Sequence, residues 1–141
     1  MKATLHSAKL GTQISVFLED TPGTLAGVTE LLGRHGVNIH ALTLAEGLGH
    51  GYVRMVVDQP EVAVRILRES GELVMEREVL LLELSNQPGS LGHVARELGK
   101  ARINLEYAYC ASAPNLDKGL VVVRVDEIQK ALSVLRGLLK G

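Results

Sequence analysis

Ile14-Ser15-Val16-Phe17-Leu18-Glu19-Asp20-Thr21-Pro22-Gly23-Thr24-Leu25 decides the fold. Ile14, Val16 and Leu18 alternate with Ser15 and Phe17, the period-two pattern of a strand. Asp20-Thr21-Pro22-Gly23 then reads as a helix start. A capping-type residue stands ahead of a proline, whose missing amide hydrogen would be unpaired there anyway. Beyond the turn, Leu25, Val28, Leu31 and Leu32 recur on one helical face, and Gly36 suits a left-handed helix exit.

The same order of signals returns 66 residues later. Residues 14–40 laid over 80–106 agree at eight of 27 positions, among them Pro22/Pro88, Gly23/Gly89 and Asn38/Asn104. After a two-residue insertion, 51–68 over 119–136 agree at seven of 18, including Asp58/Asp126. Composition alone would match on the order of a tenth of positions. The chain is two copies of one small unit.

Each copy reads strand–helix–strand–strand–helix. Second strands are expected over 38–45 and 104–110, and valine-rich, central third strands over 52–58 and 120–126. Second helices follow over 61–70 and 127–139, the first with Ala63, Ile66 and Leu67 inward. In copy two the first helix turns Leu91, Val94, Ala95 and Leu98 inward, and Arg102 replaces Gly36, so a different helix exit is expected. Residues 72–76 read as a short closing strand for copy one. Copy two has none after its last helix: either it goes without, or residues 3–9 supply it, the second being preferred. The class is α+β, two tandem ferredoxin-like βαββαβ units at 12–76 and 77–141 after an extension at 1–11. Each has an antiparallel sheet with its helices on one face, strands one and three adjacent and strand two toward an edge.

Composition removes several functions. Fifteen basic and 16 acidic groups leave a net charge of −1, which argues against a cationic face for nucleic acid or anionic membrane. Phe17, Tyr52, Tyr107 and Tyr109 are the only aromatics, too few for a base-stacking platform. No apolar run is long enough to span a bilayer, and the N-terminus lacks the apolar core of a secretory signal. A cytoplasmic protein is expected.

Catalytic signatures are weak, and no catalytic residue, metal or cofactor is expected. His40, His50 and Cys110 lack the close-paired spacing of metal ligands. Cys110, the one cysteine, reads as a small buried hydrophobe rather than a nucleophile. Gly47-Leu48-Gly49-His50-Gly51 joins two strands and reads as a hairpin, not a phosphate loop. Gly33 and Gly99, inside helical patterns, suggest close packing or fraying.

The paired turns stand apart. Each follows a strand, opens a helix and precedes an asparagine, Asn38 or Asn104, by a fixed interval. A helix start offers free amides to an anion, and an asparagine amide both donates and accepts. A strand, a D-x-P-G turn, a helix and then Gly36-Val37-Asn38-Ile39, all duplicated, resembles the ACT domain over residues 12–140. The second copy carries Asn86-Gln87-Pro88-Gly89-Ser90-Leu91 and Arg102-Ile103-Asn104-Leu105. Asn86 stands for an acidic residue and Arg102 for a glycine.

That resemblance implies a small-molecule sensor, most often of amino acids, with ligands at the interface of paired units. It places the ligand-binding positions at Asp20, Thr21, Pro22, Gly23, Asn38 and Ile39, and at Gln87, Pro88, Gly89, Asn104 and Leu105. The expectation is a non-enzymatic regulatory protein that binds a free amino acid. It acts on a separate enzyme or regulator and forms a homodimer through the apolar second strands (Ile39, Leu42, Leu44; Leu105, Tyr107, Tyr109). The first site is expected to be the stronger, because Asp20 carries a charge that Asn86 lacks. The alternatives are an acylphosphatase-type hydrolase on the same fold, and an assembly module without ligand.

Overall fold

The structure, a computed structural model, describes residues 4–46 and 50–140. Six antiparallel strands and four helices follow in the order β1 (Leu5–Glu19), α1 (Thr24–Arg34), β2 (Ile39–Glu46), β3 (His50–Val57), α2 (Pro60–Glu69), β4 (Val74–Ser85), α3 (Ser90–Lys100), β5 (Leu105–Ala111), β6 (Lys118–Val125) and α4 (Ile128–Lys140). Two compact units result: a first of Thr12–Arg77, and a second of Met1–Gly11 with Glu78–Gly141. Among the described residues no helix is long and apolar enough to cross a membrane. Three residues of the expected glycine-rich hairpin, 47–49, lie outside the described residues; β2 and β3 on either side of them pair antiparallel.

The first unit has strand order β2-β3-β1-β4. Leu18 stands opposite Gly51 and Ile14 opposite Met55, so strands one and three are neighbours and β2 is the edge. Ile14, Val16 and Leu18 of β1 and Val53, Met55 and Val57 of β3 form one sheet face. That face is buried against Val28 and Leu32 of α1 and Ala63, Ile66 and Leu67 of α2. Burying such a side chain contributes roughly 1.5–3 kcal/mol, which holds both helices to one side.

The second unit has the order β1-β4-β6-β5. Its closing strand comes from the start of the chain: Ser85 N–H donates to Thr4 O at 2.8 Å, and Leu5 and Ala8 are buried with Leu80, Leu82 and Val123. The strand expected at 72–76 is longer than that. β4 runs unbroken to Ser85 and β1 spans 15 residues, so each of these strands gives one part of its length to each unit. Glu76-Arg77-Glu78-Val79 holds no glycine, proline or other turn residue, so local sequence offers no place to divide the strand.

Several local expectations need correction. The helices begin at Thr24 and Ser90, with Gly23 (φ 90°, ψ −5°) and Gly89 (φ 88°, ψ −9°) as N-caps. Those angles belong to the third residue of a type II turn with proline second, so Pro22 and Pro88 precede the helices instead of opening them. Arg102 takes φ 59° where Gly36 has 73°, and the bonds agree: Gly36 N–H to Gly33 O and Arg102 N–H to Gly99 O are both 3.0 Å. The two helix exits are therefore the same, not different. Leu91 and Ala95 are exposed on α3, and Cys110 is exposed on β5 instead of buried. A Cβ at Gly33 or Gly99 would meet nothing within 4 Å, which removes close packing as their reason.

Candidate functional site

The strand–turn–helix junction of the first unit opens into a cleft of about 230 Å³. Its lining joins Glu19, Asp20, Thr21 and Gly23 of the turn to Thr24 and Leu25 of α1, with Leu44, Ala45 and Gly51 from the neighbouring strands. The turn is held by Thr21 N–H donating to Glu19 O at 2.8 Å, and by the Thr24 hydroxyl, 3.1 Å from Glu19 O and 3.2 Å from Thr21 O.

Gly23 supplies no side-chain cap, and the first bond of the α1 ladder runs from Gly27 N–H to Gly23 O at 3.0 Å. The amides of Leu25 and Ala26 come before that ladder, as at any helix start, and carry the positive end of the dipole. Asp20 is exposed at the same cleft, with no hydrogen bond or ion pair of its side chain among the described residues. A donor set for a carboxylate and an acceptor for an ammonium thus lie side by side. Thr21 and Gly23 join Asp20 here, whereas Pro22 only shapes the turn.

Asn38 and Ile39 are elsewhere. Leu18 opposite Gly51 puts the turn at the start of β3, whereas Asn38 is bonded to Asp58 just past its end. Those two places are about 23 Å apart at ~3.3 Å per strand residue. One unit therefore does not bring Asp20 and Asn38 to one ligand. Asn104, bonded to Asp126, and Leu105 stand in the same relation to the second turn.

The second junction has a smaller cleft of about 130 Å³, lined by Asn86, Gln87, Ser90, Leu91, Cys110 and Ser112 with strand residues behind. Of the expected positions only Gln87 contributes; Pro88, Gly89, Asn104 and Leu105 do not. Asn86 has a task of its own. Its Nδ2 donates to Ala113 O at 3.0 Å and Leu116 O at 2.8 Å, and its N–H to Asp117 O at 2.8 Å. An aspartate has no donor for two carbonyls, so the lengthened β5–β6 loop explains this departure from copy one. That pairing is not readable from local sequence. Among the described residues no group of three or more His, Cys, Asp or Glu side chains is placed to hold a metal ion.

A family model described as an ACT domain pair matches residues 10–138. Among solved structures, protein BT0572 from Bacteroides thetaiotaomicron is similar with a TM-score of 0.85 at 31% identity, over 92% of this chain and 89% of that one. The ligand-free regulatory subunit of aspartate kinase from Thermus thermophilus gives 0.67 at 17% identity, over 97% and 99%. Aspartokinase III from E. coli, in complex with lysine and aspartate, gives 0.60 at 16%, over 96% and 32%. The last two identities bear on the fold alone. A search of curated proteins finds no match.

Proposed function

The chain belongs to the ACT domain pair family, and from that premise we propose that it is a non-catalytic regulatory protein that binds a free amino acid. The observation that carries this reading is the first cleft: the uncapped start of α1 faces the same space as the unpaired Asp20 carboxylate. The helix amides take the ligand carboxylate, and Asp20 takes its ammonium.

Asn38 enters through assembly. A homodimer supplies it from a second copy, whose β2 start covers the cleft at an interface of paired units. The edge strand β2 supports this reading, with Leu44 56% exposed beside the cleft. Occupancy then changes how the copies pair and is read by a separate enzyme or regulator, by analogy with the regulatory subunit of the Thermus aspartate kinase.

A thermal-shift series over the twenty amino acids tests the proposal. A ligand present at 100 times its dissociation constant stabilises the folded chain by about 2.7 kcal/mol. One or a few amino acids should raise Tm by several degrees; a flat series removes the reading.

A further inference from the structure

The second cleft differs from the first in charge. Among the described residues no acidic or basic side chain lines it; its polar groups are Ser85, Asn86, Gln87, Ser90, Cys110 and Ser112. An ammonium placed there loses water and finds no counter-ion, an unfavourable exchange. For a carboxylate the position is reversed. The α3 ladder begins with His93 N–H to Gly89 O at 2.9 Å, and Gly89 offers no side-chain cap. The amides of Leu91 and Gly92 precede that ladder at the positive end of the helix dipole.

An independent observation adds to this helix start. Ser90 is 4% exposed, lines the cleft, and its Oγ has no hydrogen-bond partner among the described residues. Buried hydroxyls are normally paired. The matching residue of the first unit, Thr24, spends its hydroxyl on Glu19 O and Thr21 O. Ser90 keeps a donor in reserve beside the amides. Asn86 cannot replace it, since its Nδ2 already serves Ala113 O and Leu116 O.

We infer that the second cleft takes a small monocarboxylate without an amino group, its carboxylate held by the Leu91 and Gly92 amides and the Ser90 hydroxyl. One helix start neutralises one charge, and about 130 Å³ limits the remainder to a short chain. This goes beyond the amino-acid reading: the two units would report two classes of metabolite, one with the amino group and one without it.

Calorimetry on the full chain with pyruvate and alanine, which share a carbon skeleton, tests the inference. Pyruvate should bind the parent, and Ser90→Ala should weaken it about tenfold or more, the loss expected for a hydrogen bond to a charged acceptor. Because the hydroxyl is unpaired in the free protein, Ser90→Ala should leave the ligand-free Tm unchanged or raised. Pyruvate should also bind with unchanged affinity when the amino acid found by thermal shift is saturating. Absence of pyruvate binding at millimolar concentration, an unchanged affinity in Ser90→Ala, a lowered ligand-free Tm, or Ser90-dependent binding of alanine as tight as that of pyruvate would each overturn it. Failure of the amino-acid reading alone leaves the pyruvate result standing, so the two fail separately.

Discussion

Asn38 and Asp58 close a two-bond clasp: Asn38 N–H donates to Asp58 Oδ1 at 2.9 Å, and Asp58 N–H donates to Asn38 O at 3.0 Å. Asn104 and Asp126 repeat it at 3.1 and 3.2 Å. The clasp ties the start of the edge strand to the end of its neighbour, and it accounts for the match of Asp58 with Asp126 across the copies. It uses the main chain of the asparagine and the side chain of the aspartate. Asp58→Ala should therefore cost about 1 kcal/mol, the net worth of one hydrogen bond, measured by urea unfolding. Asn38→Ala should keep the clasp and most of the stability while lowering amino-acid affinity. A stability loss as large as that of Asp58→Ala would show that the asparagine side chain is structural.

Asp20→Asn separates charge from shape at the first cleft. Replacing a charge-assisted bond by a neutral one costs about 1 kcal/mol, roughly fivefold in affinity. The variant should fold as the parent does, because Gly23, not Asp20, is the N-cap of α1. Titration calorimetry on the matched pair reads the difference; equal affinities would remove Asp20 from the site.

Asn86→Asp is the reciprocal change, and it should not convert the second cleft into a copy of the first. The carboxylate would face Ala113 O and Leu116 O without a donor. A loss of about 1–3 kcal/mol is expected, with faster amide exchange at Leu116 and Asp117. Unaltered exchange would mean that Asn86 does not hold this loop.

Arg102 holds φ 59° at a helix exit where its counterpart is Gly36. A left-handed residue with a Cβ costs roughly 1–2 kcal/mol, partly offset by the greater freedom of glycine in the unfolded chain. Arg102→Gly should thus stabilise the chain by about 1 kcal/mol, and Gly36→Ala should destabilise it by a similar amount. Thermal unfolding of the two variants checks both signs.

Leu44 lies on the edge strand β2, 56% exposed and lining the first cleft. Leu44→Lys should block edge pairing between copies and shift the mass to that of one chain by light scattering. If Asn38 arrives from the second copy, amino-acid affinity should fall with it. A parent chain that is monomeric at micromolar concentration would remove the dimer.

Much of this protein was legible along the chain because its signals are short-range. The alternation of Ile14, Val16 and Leu18, and the proline–glycine turns, act within a few residues, where backbone sterics decide. Duplication then implied two units, and burial of Ala63, Ile66 and Leu67 agrees with the expected inward face of α2. The expected sites were legible only in part. Asp20, Thr21, Gly23 and Gln87 reach clefts because they belong to the turns themselves.

Tertiary structure alone decided what depends on distant partners. That the start of the chain closes the second sheet was the preferred expectation, but its partners were not readable: Leu5 and Ala8 are buried with Leu80 and Leu82 because apolar faces far apart in the chain meet. Arg102 is held in a glycine conformation by a helix exit in which Arg102 N–H donates to Gly99 O and Ile103 N–H to Leu98 O, both at 3.0 Å, although its own preference points elsewhere. Asn38 sits a strand's length from Asp20 because an antiparallel return carries it to the other end of β3. Residue type and spacing specify local backbone chemistry, but which residues share a site depends on strand direction and on contacts far apart in the chain.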